Sequence, residues 1–230
     1  MQDQTFGLFR EYSDMRNLGF LVLVGVLFGL SSRASAALIL VHDNGGLNYP
    51  DGLLSDPTFP VQTGDDFQVN QSTKVTRVTW FGAYKGGDML PDGPDHFSLR
   101  FFTFVGPTTP NSTPFADLEL TDVLRTPTAL TLTNGAPVFS YQADFTPVDF
   151  VTGRHLLSIV NDTTGYPEQW GWNLSNGVTG QRWHRFQNGT NWFGPYSAEL
   201  SFRIYAVPEI GTGAMMGVAG LVVLRRRGRR

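Results

Sequence analysis

Four of the five tryptophans fall in one stretch, at Trp170, Trp172, Trp183 and Trp192. An indole face stacks on the apolar face of a sugar ring. Trp170 and Trp172 are two apart, the spacing that puts both on one face of a strand, as a polysaccharide platform requires. Asn173, Gln181, Arg185 and Asn191 lie close by and can hydrogen-bond hydroxyls. Tryptophans of a β-sandwich also fill its core or pair across strands. On that reading at most one or two stay at the surface, with Trp183 and Trp192, on either side of the Asn188-Gly189 turn, the expected pair.

Other reactive side chains are scattered. Asp43-Asn44-Gly45-Gly46 with Asp51, and Asp88, Asp92 and Asp95 around Gly93, offer oxygens of the kind Ca²⁺ takes. Neither set has the spacing of a known calcium loop, and Asp and Asn favour turns for their own reasons. His42, His96, His155 and His184 are far apart and do not compose a zinc motif. With no Cys, there is no disulfide, thiol nucleophile or Cys-based metal site. No nucleophile elbow and no phosphate loop occurs. Glycoside hydrolysis needs two carboxylates at a set separation, which Glu119, Glu168, Glu199 and the aspartates do not disclose from sequence. The expectation is a non-enzymatic protein with no cofactor and no metal.

Composition indicates the elements that carry these residues. Charged residues are 16% and aromatics 13%, and Gly (26) and Pro (14) punctuate the 230 residues often. That pattern fits a turn-rich all-β protein and excludes a helical bundle or coiled coil. Strand signals recur at Ala37–Val41, Asp66–Val69, Lys74–Tyr84, Phe97–Phe101, Asp117–Asp122, Leu130–Leu132, Val138–Phe145, Leu156–Val160, Trp170–Leu174, Gln181–Phe186 and Ala198–Ala206. Val78, Trp80 and Gly82 share a face, as do Phe97, Leu99 and Phe101, and Phe139, Tyr141, Ala143 and Phe145. Asn134-Gly135, Asn176-Gly177 and Asn188-Gly189 mark hairpin turns. The spacing predicts an antiparallel β-sandwich, jelly-roll-like, of about ten strands.

The two ends read as addresses. Arg16, the 13-residue apolar run Leu18–Leu30 and Ala34-Ser35-Ala36 form a secretory signal over residues 15–36, with cleavage expected after Ala36. Residues 1–14 carry a net charge of -2, wrong for a signal's basic start, so Met15 is the expected true start. At the other end, Val207-Pro208-Glu209 precedes 15 uncharged residues, Ile210–Leu224, and then five Arg in six residues. This is a short transmembrane helix with an Arg block that stays on the cytoplasmic side. Between the ends, residues 37–206 hold 9 Lys+Arg and 16 Asp+Glu, a net of -7. An exported domain so acidic disfavours nucleic acid and anionic lipid, and tolerates neutral glycans.

Residues 207–230 resemble the PEP-CTERM sorting signal of exosortase substrates. Motif, apolar span and Arg cluster stand in the family's order, with Ile210 in place of the second motif Pro. The resemblance implies recognition at Val207, Pro208 and Glu209 by an exosortase-type membrane enzyme, with residues 210–224 in the inner membrane before processing. An uncut tail stays as a membrane anchor. Asp65-Asp66-Phe67, Val75–Tyr84, Asp95–Phe101 and Trp170–Asn173 also look like segments of exported β-domains of that family. The implied role is a cell-surface or extracellular-matrix protein. The alternative is a carbohydrate-binding module for exopolysaccharide, and after it a glycan hydrolase or lyase.

Overall fold

The computed structural model describes residues 37–86, 94–176, 180–186 and 189–208, with backbone alone at 48–50. The chain divides into two units at the Ala36–Ala37 junction. The expected signal segment with Ala34 and Ala36, and the tail from Glu209 onward, lie outside the described residues, as do Asp88, Asp92 and Asn188. Among the described residues no helix is long and apolar enough to cross a membrane.

The described residues are all β. Thirteen strands follow in order: β1 (Ile39–Asp43), β2 (Leu47–Leu54), β3 (Val61–Val69), β4 (Thr73–Lys85), β5 (Phe97–Thr103), β6 (Ala116–Glu119), β7 (Val123–Thr131), β8 (Pro137–Phe150), β9 (Gly153–Asn161), β10 (Gln169–Ser175), β11 (Arg182–Phe186), β12 (Phe193–Tyr196) and β13 (Phe202–Val207). They form two antiparallel sheets. The first runs β1-β13-β4-β10-β2, with β8 on the other edge of β4 and β7 outside β8. The second runs β12-β11-β3-β9-β5-β6. At 13 residues, β4 is long enough to take β13 along Lys74–Trp80 and β10 along Gly82–Lys85.

Expectation and structure differ at the sheet edges. The expected strand count was about ten, and β2 and β12 were not anticipated. β7 starts at Val123, well before Leu130. All three are outermost strands and contain a proline: Pro50 in β2, Pro127 in β7 and Pro195 in β12. Proline cannot donate to a ladder, so it reads as a breaker in sequence yet is tolerated at an edge. In β8, Pro147 sits where Val75/Arg77 face Val148/Asp144 across a bulge. The expected strand over Ala198–Ala206 begins only at Phe202.

Alternation builds the main core between the sheets. Val78, Trp80 and Tyr84 of β4 meet Phe97, Leu99 and Phe101 of β5, and Phe139, Tyr141 and Ala143 of β8. Trp80 stacks on Tyr141 with centroids 5.6 Å apart, and Phe97 stands edge-on to Trp80 at 5.1 Å. Each such ring contributes about 1.5–3 kcal/mol when fully buried. The other face of the second sheet is covered as well. Leu156, Phe102 and Trp183 form a second cluster there, with Phe104 and Trp192 against it. Residues 103–115 cross this face and are tied to it by Arg154, Arg185 and Trp192.

Candidate functional site

The tryptophans take the core reading weighed above, and the alternative platform does not form. Trp170 and Trp172 are wholly buried in the main core. The Trp170 indole lies against Phe97 and directly over Gly82. Trp172 donates its Nε1 hydrogen to the Ser201 carbonyl at 3.1 Å. Trp183, expected at the surface, is buried on the opposite face of the second sheet. Only Trp192 keeps partial exposure, and its Nε1–H is bonded to the Asn111 carbonyl at 2.9 Å. The physical reason is that Trp170 and Trp172 lie on the β10 parity that faces the main core, and Trp183 on the β11 parity that residues 103–115 cover.

Two arginines are interleaved with these rings. Arg154 lies over Phe104 at 4.6 Å and Trp183 at 5.0 Å, and donates to Asp66, Gln181 and the Pro107 carbonyl. Arg185 lies over Trp192 at 4.6 Å and Phe102 at 5.0 Å, and donates to Gln62 Oε1 and the Ser112 carbonyl. Their donors are committed to holding the 103–115 crossing in place. Gln181 and Arg185, expected to meet sugar hydroxyls, are thus bonded within the protein. Asn173 is buried, and Asn191 is exposed.

The exposed aromatic surface lies on the other parity of β11. Arg182, His184 and Phe186 stand opposite Asp65, Thr63 and Val61 of β3. They therefore point to the side on which the first sheet packs. The two outer strands carry this side out to solvent. There Phe186 is 60%, Phe193 45% and Tyr196 40% exposed. His184 stacks on Tyr196 with centroids at 5.0 Å and on Phe193 at 5.7 Å. Phe186 meets Phe193 edge-on at 6.2 Å, and the Arg182 guanidinium lies 5.2 Å above Tyr196. The result is a row of four rings ending in a cation. Burial holds the His184 imidazole below its usual pKa, aided by the Arg182 charge, so it is neutral at pH 7.

β12 approaches β11 closely at Gly194. A Cβ there would lie 2.8 Å from Trp183 Cδ1, and its φ of +146° is one that side-chain-bearing residues avoid. Gly194-Pro195 thus lets a four-residue edge strand lay Phe193 and Tyr196 beside His184. A weak signal for this row was legible: His184 and Phe186 alternate with Trp183 and Arg185. Phe193-Gly194-Pro195-Tyr196 carries two breakers and gives no strand signal.

The acidic residues serve the fold. Asp65 is wholly buried. Its Oδ2 accepts from Asn44 Nδ2 at 3.1 Å and Leu200 N at 2.5 Å, and its Oδ1 from Asp66 N at 2.9 Å. Burial pushes the Asp65 carboxyl well up, against those donors. His42 Nε2 pairs with Asn44 Oδ1, and its pKa is pushed down by burial. This His42–Asn44–Asp65 line ties β1 to β3 beneath solvent. Asp56 accepts four bonds, from Thr58 N, Thr58 Oγ1, Thr163 Oγ1 and Trp170 N. Asp95 accepts from Tyr84, Asn161 and Arg125. In the loops weighed for calcium, Asp43 accepts from Gly45 N and pairs with Arg203, while Asp51 pairs with Lys85. Among the described residues no three His, Asp or Glu gather at metal-ligand spacing.

Val207 closes β13 opposite Lys74, and Pro208, lacking an N–H, is the last described residue. No family model, no curated protein and no solved structure matches this chain.

Proposed function

We propose that this chain is an exported, non-enzymatic β-sandwich of the cell surface or extracellular matrix that holds exopolysaccharide on its aromatic row. The observation that carries the reading is the exposed line of Phe186, Phe193, His184 and Tyr196 along the β11–β12 edge. Successive rings on two paired strands suit successive sugars, whose apolar faces lie against aromatic surface while their hydroxyls keep water. A contiguous exposed apolar patch on a soluble domain marks an interaction site. The commitment of Asp56, Asp65, Asp66 and Asp95 to internal bonds supports a binding role over hydrolysis.

The strand orders β1-β13-β4-β8 and β3-β9-β5-β6 are read as the two sheets of a jelly roll, with β2, β7, β10, β11 and β12 added to it. The sorting reading also stands as a proposal. A signal segment at 15–36 directs export. Val207, Pro208 and Glu209 present the tail to an exosortase-type enzyme while residues 210–224 sit in the inner membrane.

The test is retention of the protein by the producing organism's own extracellular polysaccharide in affinity electrophoresis. Wild type is expected to be retarded. Phe193→Ala with Tyr196→Ala is expected to weaken binding more than tenfold, about 1.4 kcal/mol, with the circular dichroism of the fold intact. Absence of retardation in wild type, or equal retardation of the folded variant, overturns the reading.

A further inference from the structure

We propose that the sugar chain held on the aromatic row is a polyuronate, and that Arg182 receives its carboxylate. The inference rests on the glycan-binding reading above and adds the charge of the ligand.

Arg182 is set apart from the other described arginines. Arg77, Arg100, Arg125, Arg154 and Arg203 each hold a carboxylate at 2.6–3.4 Å. Arg185 donates instead to Gln62 and Ser112. Arg182 has no carboxylate within ion-pair distance among the described residues. Its Nε hydrogen is buried and meets no acceptor. The acid that its charge feels, Asp65, is sealed below and already accepts three hydrogen bonds. The guanidinium is partly desolvated, which lowers its pKa, and it rests on the Tyr196 ring. The buried Nε is out of a ligand's reach, but Nη1 and Nη2 are neither sealed nor bonded within the described residues, and a carboxylate can take both.

The geometry selects the ligand class. A guanidinium fork matches a planar carboxylate with two parallel hydrogen bonds. The cation stands at the end of a row of rings, so the carboxylate must belong to a chain that also has apolar ring faces. A uronic acid carries both on one sugar. The sugar at the Arg182 end of the row brings one carboxylate to one unpaired arginine. The net charge of -7 on residues 37–206 does not oppose this at contact, because it is spread over the domain. Charges beyond about 8 Å are largely screened at physiological salt, whereas a contact pair is not. Neutral His184, beside Tyr196, supplies a donor and an acceptor for hydroxyls.

The experiment titrates the protein with polygalacturonate and with alginate, each beside its fully esterified form, which keeps the rings and removes the charge. Wild type is expected to bind at least one polyuronate at least tenfold more tightly than the ester. Arg182→Gln is expected to abolish that preference, so that acid and ester bind it equally. Arg182→Lys keeps the charge without the fork, and is expected to fall between them. It also serves as the test if the Gln variant does not fold. Equal wild-type binding to acid and ester overturns the polyuronate inference and leaves glycan binding standing. So does an undiminished preference in a folded Arg182 variant. Binding to neither acids nor esters, with retention of the organism's own polysaccharide, overturns the inference alone. Binding to none of them overturns both readings.

Discussion

Replacing Gly82 by Ala puts a methyl group where the Trp170 indole already lies. The added Cβ would stand 2.5 Å from Trp170 Cζ2 and 2.6 Å from both Cε2 and Nε1. Carbon atoms rest at about 3.5–4.0 Å, so the indole must retreat by about 1 Å. It has nowhere to go. Phe97 stands edge-on to the indole at 5.1 Å and Tyr141 at 6.3 Å. The Trp170 backbone is held by its N–H to Asp56 at 2.9 Å. Overpacking of this kind costs about 1–3 kcal/mol. Against it, Ala in place of Gly restricts the unfolded chain and returns about 0.4–1 kcal/mol. The net expectation is a loss of about 1–2 kcal/mol, and at about 2–4 °C per kcal/mol a melting point roughly 2–8 °C lower. Thermal unfolding followed by tryptophan emission reads it. A double-mutant cycle with Trp170→Leu isolates the cause, because leucine has no ring atom near the three that collide. In that background Gly82→Ala is expected to cost far less. An unchanged or raised melting point for Gly82→Ala, or the same cost in both backgrounds, refutes the account of Trp170 as a locked core ring.

Further expectations follow from the same packing. Asp56→Ala removes an acceptor from four donors and leaves the Trp170 N–H buried without a partner. A loss of about 3 kcal/mol or more is expected in urea unfolding, and a loss under 1 kcal/mol sinks the assignment. His42, His155 and His184 are all held below the ordinary histidine pKa, burial being the main cause. His155 donates from Nε2 to the Val151 carbonyl, which favours its charged form, but burial outweighs that bond. The unfolded chain takes protons first, so their contribution is fully present above about pH 6.5 and is lost as pH falls below it. The drop in urea midpoint from pH 7.5 to 5.5 is expected to shrink in His155→Gln; an equal drop shows that His155 does not contribute. Trp192→Ala uncovers Arg185 and Phe102 without touching the main core. It is expected to destabilise by about 1–3 kcal/mol and to leave glycan retention unchanged, which affinity electrophoresis checks. Removal of residues 209–230 is expected to shift the exported protein from the membrane fraction to the medium, and persistence in membranes counts against the anchor.

Local pattern determined the class of this protein and much of its interior. Frequent Gly and Pro, few charges and clean two-residue alternation specify short antiparallel strands. The alternating residues of β4, β5 and β8 are indeed those that meet between the sheets. Edge strands escaped because their prolines look like breakers until the sheet shows that no neighbour needs the missing N–H. The exposed aromatic row escaped for a different reason. A strand's sequence separates its two parities but does not say which of them is covered. On β11 the parity with Trp183 and Arg185 is covered by residues 103–115, and the parity with His184 and Phe186 is left open beside β12. That choice depends on chain segments about 70 residues away, and only their tertiary packing makes it.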